Sequence, residues 1–336
     1  MTSEPTTAIA FGPVPSRRLG RSLGINNIPP KRCSYACVYC QVGRTVGLVA
    51  ERRAFHPPEE IVRQVETRVR DVRARGEAID YLTFVPDGEP TLDVHLGREI
   101  TGLRSLGIPV AVITNASLVD RSDVQTDLLR ADWVSLKVDA AREDTWRRVN
   151  RPHGRLRLDD QLAGGIRFSR RFGGTLATET LLVAGLNDDE RHIDDLGRHL
   201  EALGPDEAYL SVPTRPPAEA WVCPPGDDVA FRAWQSLATR LPGTRVELLI
   251  GEEGNAFAST GDARADLLAI TAVHPMREDA VADLLARSGQ GWPVVEELVA
   301  DGRLSRREHR GQTFFMRRFA RLASVAAAGA APGRAP

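Results

Sequence analysis

The chain has 336 residues, 42% of them hydrophobic and 26% charged, enough for a sizeable core and for one large domain with a smaller companion. With 44 basic and 45 acidic residues its formal net charge is -1, so no global field draws it to nucleic acid and any such binding must be local. No stretch approaches the roughly 18 to 20 apolar residues of a membrane span, and Met1 to Ala10 lacks the pattern of a secretion signal. Four cysteines, three of them clustered, make no secreted disulfide framework, so a soluble protein of the reducing cytoplasm is expected.

In chain order, residues 1–10 read as a tail and 11–251 as an α/β domain. A first strand over 21–26 leads into Cys33-Ser-Tyr-Ala-Cys37-Val-Tyr-Cys40. Three thiolates on one short loop can face an iron–sulfur cluster and leave one iron without a protein ligand, open to chemistry. The alternative is a structural zinc knot completed by Cys223, although closed zinc sites usually read as two short Cys/His pairs far apart in sequence. Beyond the loop, β-branched runs over 79–85, 110–115, 133–139, 176–183 and 208–212 alternate with helical periodicity. Ile61, Val62, Val65, Val69 and Val72, behind a start at Pro57-Pro58-Glu59-Glu60, are an example. Six such βα units predict an open, partial (β/α)6 barrel, with 246–250 a further strand candidate before a turn at Gly251-Glu-Glu-Gly254. Ligands in such folds gather at the carboxyl ends of the strands, where the cysteines lie.

Residues 262–320 read as a separate unit. Helices over 267–273, 277–287 and 292–300 precede 303–310, a turn at Gly311-Gln312, and 313–318, and three helices with a hairpin predict a winged helix. Residues 321–336, mostly Ala, Gly and Pro, read as a disordered tail.

Within the fourth strand, period-2 alternation puts Ser135, Lys137 and Asp139 on one face and Val134, Leu136 and Val138 on the other. Polar residues facing a barrel interior need partners. A Lys137 to Asp139 ion pair would satisfy both without any ligand, and a Schiff-base role for Lys137 is a further option. Phe84-Val-Pro-Asp-Gly-Glu-Pro90 ends the second strand; its proline, aspartate and glycine are ordinary turn formers, and a glycine there also lets backbone approach a ligand.

With its cysteine loop placed after the first strand, the chain resembles the radical S-adenosylmethionine (SAM) superfamily from Phe11 to about residue 250. The resemblance implies that Cys33, Cys37 and Cys40 bind a [4Fe-4S] cluster and that SAM chelates the fourth iron. One electron from the cluster would then cleave SAM to methionine and a 5′-deoxyadenosyl radical that abstracts a substrate hydrogen. Gly88, Glu89 and Pro90, with Asp87 replacing the first glycine of the family's Gly-Gly-Glu-Pro motif, would hold the SAM amino group, with Asn115 at the end of the third strand nearby. Ser135 or Asp139 would hold the ribose, Lys137 the carboxylate, and Tyr39 would flank the adenine. An electron donor such as flavodoxin or ferredoxin is implied as partner.

Four stretches resemble the wyosine-synthase-like branch in particular: Phe11-Gly-Pro-Val-Pro-Ser-Arg-Arg-Leu-Gly20, the Cys-Val-Tyr-Cys-Gln41 ending, Asp87-Gly-Glu-Pro-Thr91, and Ser211-Val-Pro-Thr-Arg-Pro-Pro217. Wyosine synthase uses a second cluster with three more cysteines, which a lone Cys223 cannot build; Cys223 reads instead as a small buried hydrophobe. The substrate is left open. A tRNA base or a peptide presented by the C-terminal unit is one reading, and a metal-bearing nucleic-acid-binding regulator without catalysis is another. Arg17, Arg18, Arg21, Arg147, Arg148, Arg151 and Arg215 include candidates for a substrate phosphate or carboxylate. Arg303, Arg306, Arg307, Arg310, Arg317 and Arg318 mark the expected wing, which would bind nucleic acid or protein. His153 reads as a hydrogen-bonded loop residue.

Overall fold

The computed structural model describes residues 8–249, 257 and 259–318. Strand β1 (Ala10–Ser16) turns back onto β2 (Gly20–Ile25), and two short strands, β3 (Arg32–Cys33) and β4 (Gly47–Leu48), pair in the loop beyond. Then follow α1 (Pro58–Ala74), β5 (Tyr81–Phe84), α2 (Leu96–Leu103), β6 (Val110–Thr114), α3 (Ser122–Leu128) and β7 (Trp133–Lys137). After these come α4 (Glu143–Asn150), α5 (Leu158–Ser169), β8 (Thr175–Leu181), α6 (Glu190–Leu203), β9 (Glu207–Ser211), α7 (Asp227–Arg240) and β10 (Arg245–Leu249). The main sheet runs β1-β2-β5-β6-β7-β8-β9-β10; all pairs are parallel except β1 with β2. Strands in sequential order with helical crossovers form an open, partial barrel, because successive right-handed βα units wind one way.

Helix α1 shows how sequence sets an element. Pro58 occupies the first turn, where its missing N–H is no loss, and Glu59 and Glu60 complement the positive helix start. Its buried residues Ile61, Val65, Val69 and Val72 form one stripe against the sheet. On β7, Val134 and Leu136 join the helix-covered core, whereas Trp133 packs on the opposite face with Ala111, Ala177 and Tyr209. That opposite face is the barrel lumen. Its filling comes from an unexpected source: the β1–β2 hairpin tip inserts Leu19 among those residues, and Ser16 Oγ accepts the N–H groups of Arg18 at 3.3 Å and Leu19 at 3.2 Å to shape the tip.

The sequence reading missed β1. Gly-Pro-Val-Pro-Ser carries two prolines and lacks clean alternation, yet an edge strand tolerates proline because no second neighbour needs its N–H. The expected tail over 1–10 also ends earlier than read: Ile9 is buried in the core and Ala10 opens β1. Ile250, the turn at 251–254 and the tail at 321–336 lie outside the described residues.

The C-terminal unit holds α8 (Ala263–Ile270), β11 (Met276–Arg277), α9 (Glu278–Arg287), α10 (Pro293–Ala300), β12 (Leu304–His309) and β13 (Gln312–Arg317), its sheet ordered β11-β13-β12. The hairpin turn falls on Arg310-Gly311, one residue earlier than expected, because both adopt positive φ, 51° and 75°, between the His309–Gln312 pair. Phe11 and Val14 of β1 belong to this unit's apolar cluster, with Leu267 and Leu284 among its members. Arg68 of α1 donates to the Gly12 carbonyl at 2.8 Å and approaches Asp266 at 3.8 Å. The unit thereby covers an edge of the sheet.

One buried carboxyl makes stability pH-dependent. Glu99 in α2 is fully buried; Asn27 donates to one oxygen at 3.3 Å and the other has no hydrogen-bond partner. Burial, then the neighbouring Asp93, pushes its pKa up to about 9, against about 4.3 in an unfolded chain. A raised carboxyl favours folding while protonated, so its contribution is fully present below the unfolded value and is lost as pH rises toward 9. Glu99→Gln should therefore gain stability relative to wild type as pH increases from 5 to 9. Denaturant unfolding at pH 5, 7 and 9 checks this, and a difference that stays constant would count against it.

Candidate cofactor site at the carboxyl ends of the strands

The cysteine loop is pinned from three sides. The Ala36 N–H donates to the Asn150 carbonyl at 3.0 Å and the Val38 N–H to that of Val149 at 2.9 Å, which ties the loop to the end of α4. Tyr35, buried beneath the loop, accepts from Trp146 Nε1 at 3.0 Å and donates to Gln161 of α5. Ser34 meets Ser117 at 2.6 Å. These contacts leave Cys33, Cys37 and Cys40 half-buried on one loop after β2.

Two amides serve the sulfurs. Asn115 Nδ2 lies 3.5 Å from Cys33 Sγ, and Asn150 Nδ2 lies 3.5 Å from Cys37 Sγ. Burial pushes all three thiols up, Cys37 to about 12; Cys37 and Cys40 raise Cys33 further, and Cys40 raises Cys37. Lys31 and Lys137 oppose that rise at Cys40. They are the only lysines in the chain. Such thiols bind as thiolates only with compensating positive charge, to which Lys31 and Lys137 contribute at Cys40.

Glu89 organises the neighbouring loops. Its buried carboxylate accepts from the Thr91 N–H at 3.0 Å, Thr91 Oγ1 at 2.7 Å, Thr114 Oγ1 at 2.6 Å and the Asn115 N–H at 2.7 Å. The ends of β5 and β6 are thus joined, and Asn115 is aimed at Cys33. Burial raises the Glu89 pKa, and these hydrogen bonds work against the rise. Gly88 must be glycine for a reason internal to the protein: a Cβ would sit 2.0 Å from the Arg32 carbonyl oxygen, where the two backbones bridge. Asp87, in place of a glycine, lies 3.0 Å from Lys31 Nζ, and burial nevertheless raises its pKa to about 6.

Lumen charges form a chain. Lys137 Nζ is 3.3 Å from Glu179 and 3.7 Å from Asp139, and 5.0 Å from the centre of the Tyr39 ring. Burial alone would lower the Lys137 pKa, but Asp139 and Glu179 outweigh it and raise it. Glu179 is paired on its other side with Arg18 of the hairpin tip, and Ser211 Oγ donates to it at 3.1 Å. Although burial opposes ionisation, Arg18 and Lys137 hold Glu179 well below the usual carboxylate range. Asp139 accepts from the Leu181 N–H at 2.8 Å, from Asn150 at 2.6 Å and from the Tyr39 hydroxyl.

The structure therefore gathers Tyr39, Asn115, Lys137 and Asp139 beside the thiols, with Glu89 and Gly88 behind them and Ser135 buried deeper on β7. The predicted Lys137 to Asp139 pair is present, but Glu179 was missed, and Arg18, read as a candidate for a substrate phosphate or carboxylate, pairs with Glu179 instead. A single glutamate in the largely buried run Thr-Leu-Ala-Thr-Glu-Thr-Leu was the available signal for Glu179; the partner of Arg18 was not legible, since its hairpin was not foreseen. Cys223 is exposed, which corrects its reading as a buried hydrophobe: Val222 takes the buried position instead. Among the described residues, no group of three or more His, Cys, Asp or Glu is arranged to hold a single metal ion. His153 is a loop residue as expected, its N–H donating to the Ser34 carbonyl at 2.9 Å.

Glu89→Gln would leave one carbonyl oxygen for the three donors on Oε1 but remove the charge and set an NH2 against the Asn115 N–H. A loss of about 2 kcal/mol or more is expected, read as a lower denaturation midpoint at pH 7; an unchanged midpoint would show that the hub does not hold the loops.

A family model for the radical SAM superfamily matches residues 27–196, just over half of the chain. The UPF0026 protein MJ1312 of Methanocaldococcus jannaschii is 46% identical over 309 residues, 92% of this chain and 96% of that protein. The UPF0026 protein slr1464 of Synechocystis is 35% identical over 63% of this chain and 77% of its own length. The solved structure of TYW1 with a lysine-pyruvate adduct bound aligns with a TM-score of 0.52 at 16% identity, over 65% of this chain and 73% of that one, a likeness of fold. With the cysteine loop inside the matched segment and a full-length relative at this identity, the chain belongs to the radical SAM superfamily.

Proposed function

We propose that the protein binds a [4Fe-4S] cluster through Cys33, Cys37 and Cys40 and uses it with SAM for hydrogen abstraction from a substrate. The observation that carries this reading is three half-buried thiols on one loop at the carboxyl ends of a parallel sheet, with the Asn115 and Asn150 amides 3.5 Å from two of them. When bound, the cluster and SAM supply the one-electron cleavage that yields the hydrogen-abstracting 5′-deoxyadenosyl radical.

The chain's own residues bind and orient. Lys137 supplies a fixed cation for the SAM carboxylate. Gly88, Glu89 and Pro90 form the loop that receives the amino group, with Glu89 setting the direction of Asn115. Asp139, its oxygens occupied by Asn150, Tyr39 and backbone, holds Tyr39 as a wall for the adenine, and Ser135 lines the same face below. Closure of the lumen by Leu19 and Trp133 keeps water away from the reacting centre.

In this reading residues 262–320 are a winged-helix-like unit that recruits substrate, a tRNA base or a peptide. Arg306, Arg307 and Arg310 stand exposed on its hairpin and supply the local positive charge that the chain as a whole lacks. A low-potential donor such as flavodoxin or ferredoxin supplies the electron. The cytoplasm, where thiols stay reduced, is the compartment that suits the loop. Among the described residues no helix is long and apolar enough to cross a membrane.

The test is anaerobic reconstitution with iron and sulfide, followed by dithionite, SAM and chromatographic detection of 5′-deoxyadenosine. Wild type should load about four irons and form the nucleoside, and Cys33→Ala, Cys37→Ala and Cys40→Ala should each lose both. A loaded cluster without SAM cleavage would sink the catalytic reading. Zinc in place of iron, with RNA binding that depends on the hairpin arginines, would favour a regulator.

A further inference from the structure

Asn150, which the sequence analysis did not single out, acts on the cysteine loop twice. It is the last residue of α4, and its carbonyl accepts the Ala36 N–H at 3.0 Å. Its side chain, 1% exposed, sets the amide nitrogen near three acceptors: Asp139 at 2.6 Å, Cys37 Sγ at 3.5 Å and the Tyr39 hydroxyl oxygen at 3.4 Å. The chain turns at Arg151, where φ is 46°, and Pro152 bridges back to Tyr35. The Val38 N–H meets the Val149 carbonyl at 2.9 Å. The helix end is therefore held against the loop on both sides of Asn150.

An amide can turn either end to a sulfur, and the two ends act oppositely on its charge. Asp139 decides which end it is. A carboxylate only accepts, so the 2.6 Å contact requires the nitrogen end of Asn150 at that place. Asn150 Oδ1 is buried and has no hydrogen-bond partner among the described residues, so no donor on the oxygen side competes with that choice. The amide nitrogen carries two hydrogens, and Asp139 takes one. Tyr39 has a single hydroxyl hydrogen, which goes to Asp139, and so has none to give the sulfur. Asn115, by contrast, divides its nitrogen between Cys33 Sγ at 3.5 Å and Ser34 Oγ at 2.8 Å.

We propose that Asn150 is a positioning residue that raises the reduction potential of the [4Fe-4S] cluster by donating to Cys37, an inference that rests on the cluster reading of the three thiols. When one electron enters such a cluster no bond forms or breaks, and the added negative charge is shared with the ligand sulfurs. An N–H aimed at one of those sulfurs stabilises the added charge, so the reduced state gains more than the oxidised one. Burial acts the other way, because a dry site disfavours added charge. Held by Asp139 on one side and by its own helix end on the other, the Asn150 amide opposes that penalty at Cys37.

The experiment uses the full chain with its reconstituted cluster and reads the midpoint potential by electron paramagnetic resonance during reductive titration with dithionite, without SAM. Asn150→Leu keeps the branched shape and removes the donor. It should make the reduction equilibrium about tenfold less favourable, a fall of about 59 mV for one electron. Arg148→Gln alters the exposed side of the same helix, where Arg148 reaches the Gly185 carbonyl, and should keep the wild-type potential. Iron and sulfide contents equal to those of wild type establish that each variant is loaded. A loaded Asn150→Leu protein at the wild-type potential would overturn the inference, as would an equal fall in Arg148→Gln. Should Asn150→Leu take up no iron, a crystal structure of the loaded wild type decides: Asn150 Nδ2 within hydrogen-bond reach of Cys37 Sγ supports the role, and a separation beyond it overturns the role. 5′-Deoxyadenosine formation on the same preparations separates the two claims. A shifted potential without SAM cleavage leaves Asn150 its role and sinks the catalytic reading, cleavage with an unshifted potential does the opposite, and a wild type that binds no iron sinks both.

Discussion

A half-buried carboxylate between two half-buried cations governs the interior of this protein. Glu179 sits in the barrel lumen, and a lone ion there would lose most of its hydration with little in return. Arg18 on one side and Lys137 on the other make its ionised state the stable one. The arrangement has a structural consequence, because Arg18 can reach Glu179 only if the β1–β2 hairpin folds its tip into the lumen and carries Leu19 with it. Removing one partner of such a chain strands the others, so the hairpin, β7 and β8 form one electrostatic unit. Lys137 is held by the same unit, and through it the position of the ammonium relative to Tyr39 and Asp139.

Around that unit, backbone geometry holds the loops that face the thiols. Gly88 lets the segment after β5 cross the Arg32 carbonyl at a distance no other residue permits. Glu89 then gathers four donors from two strand ends. Asp87 occupies a position where the family motif has glycine, and Lys31 lies against it. An added negative charge near the Cys40 sulfur opposes its ionisation; pairing it with a lysine that also acts on Cys40 limits that cost.

The C-terminal unit shares its apolar core with the barrel. Phe11 and Val14 lie in that core, and Phe11 stacks so closely on β2 that a Cβ at Gly24 would fall 2.0 Å from its ring. An open barrel exposes an edge strand, and β1 is covered here by α8 and its neighbours. The same docking brings Arg277 and His274 near Arg17 and Arg215, so one interface protects an edge and joins distant parts of the chain.

Much of this was legible in the amino-acid order because local physics dictates it. Period-2 and period-3.6 patterns located six parallel strands, a candidate seventh and α1, since burial of one face leaves that imprint on sequence. The Cys33, Cys37 and Cys40 spacing marked the candidate cluster loop, and alternation on β7 put Ser135 and Lys137 on the lumen face. Strand β1 escaped notice because its prolines break the pattern that an edge strand does not need. The partners of Lys137, the crossing that requires Gly88, the exposure of Cys223 and the meeting of Arg17 with Arg277 were decided only by the tertiary structure. Each depends on residues far apart in the chain being brought within a few ångströms, and no local periodicity records which distant charge will lie opposite which.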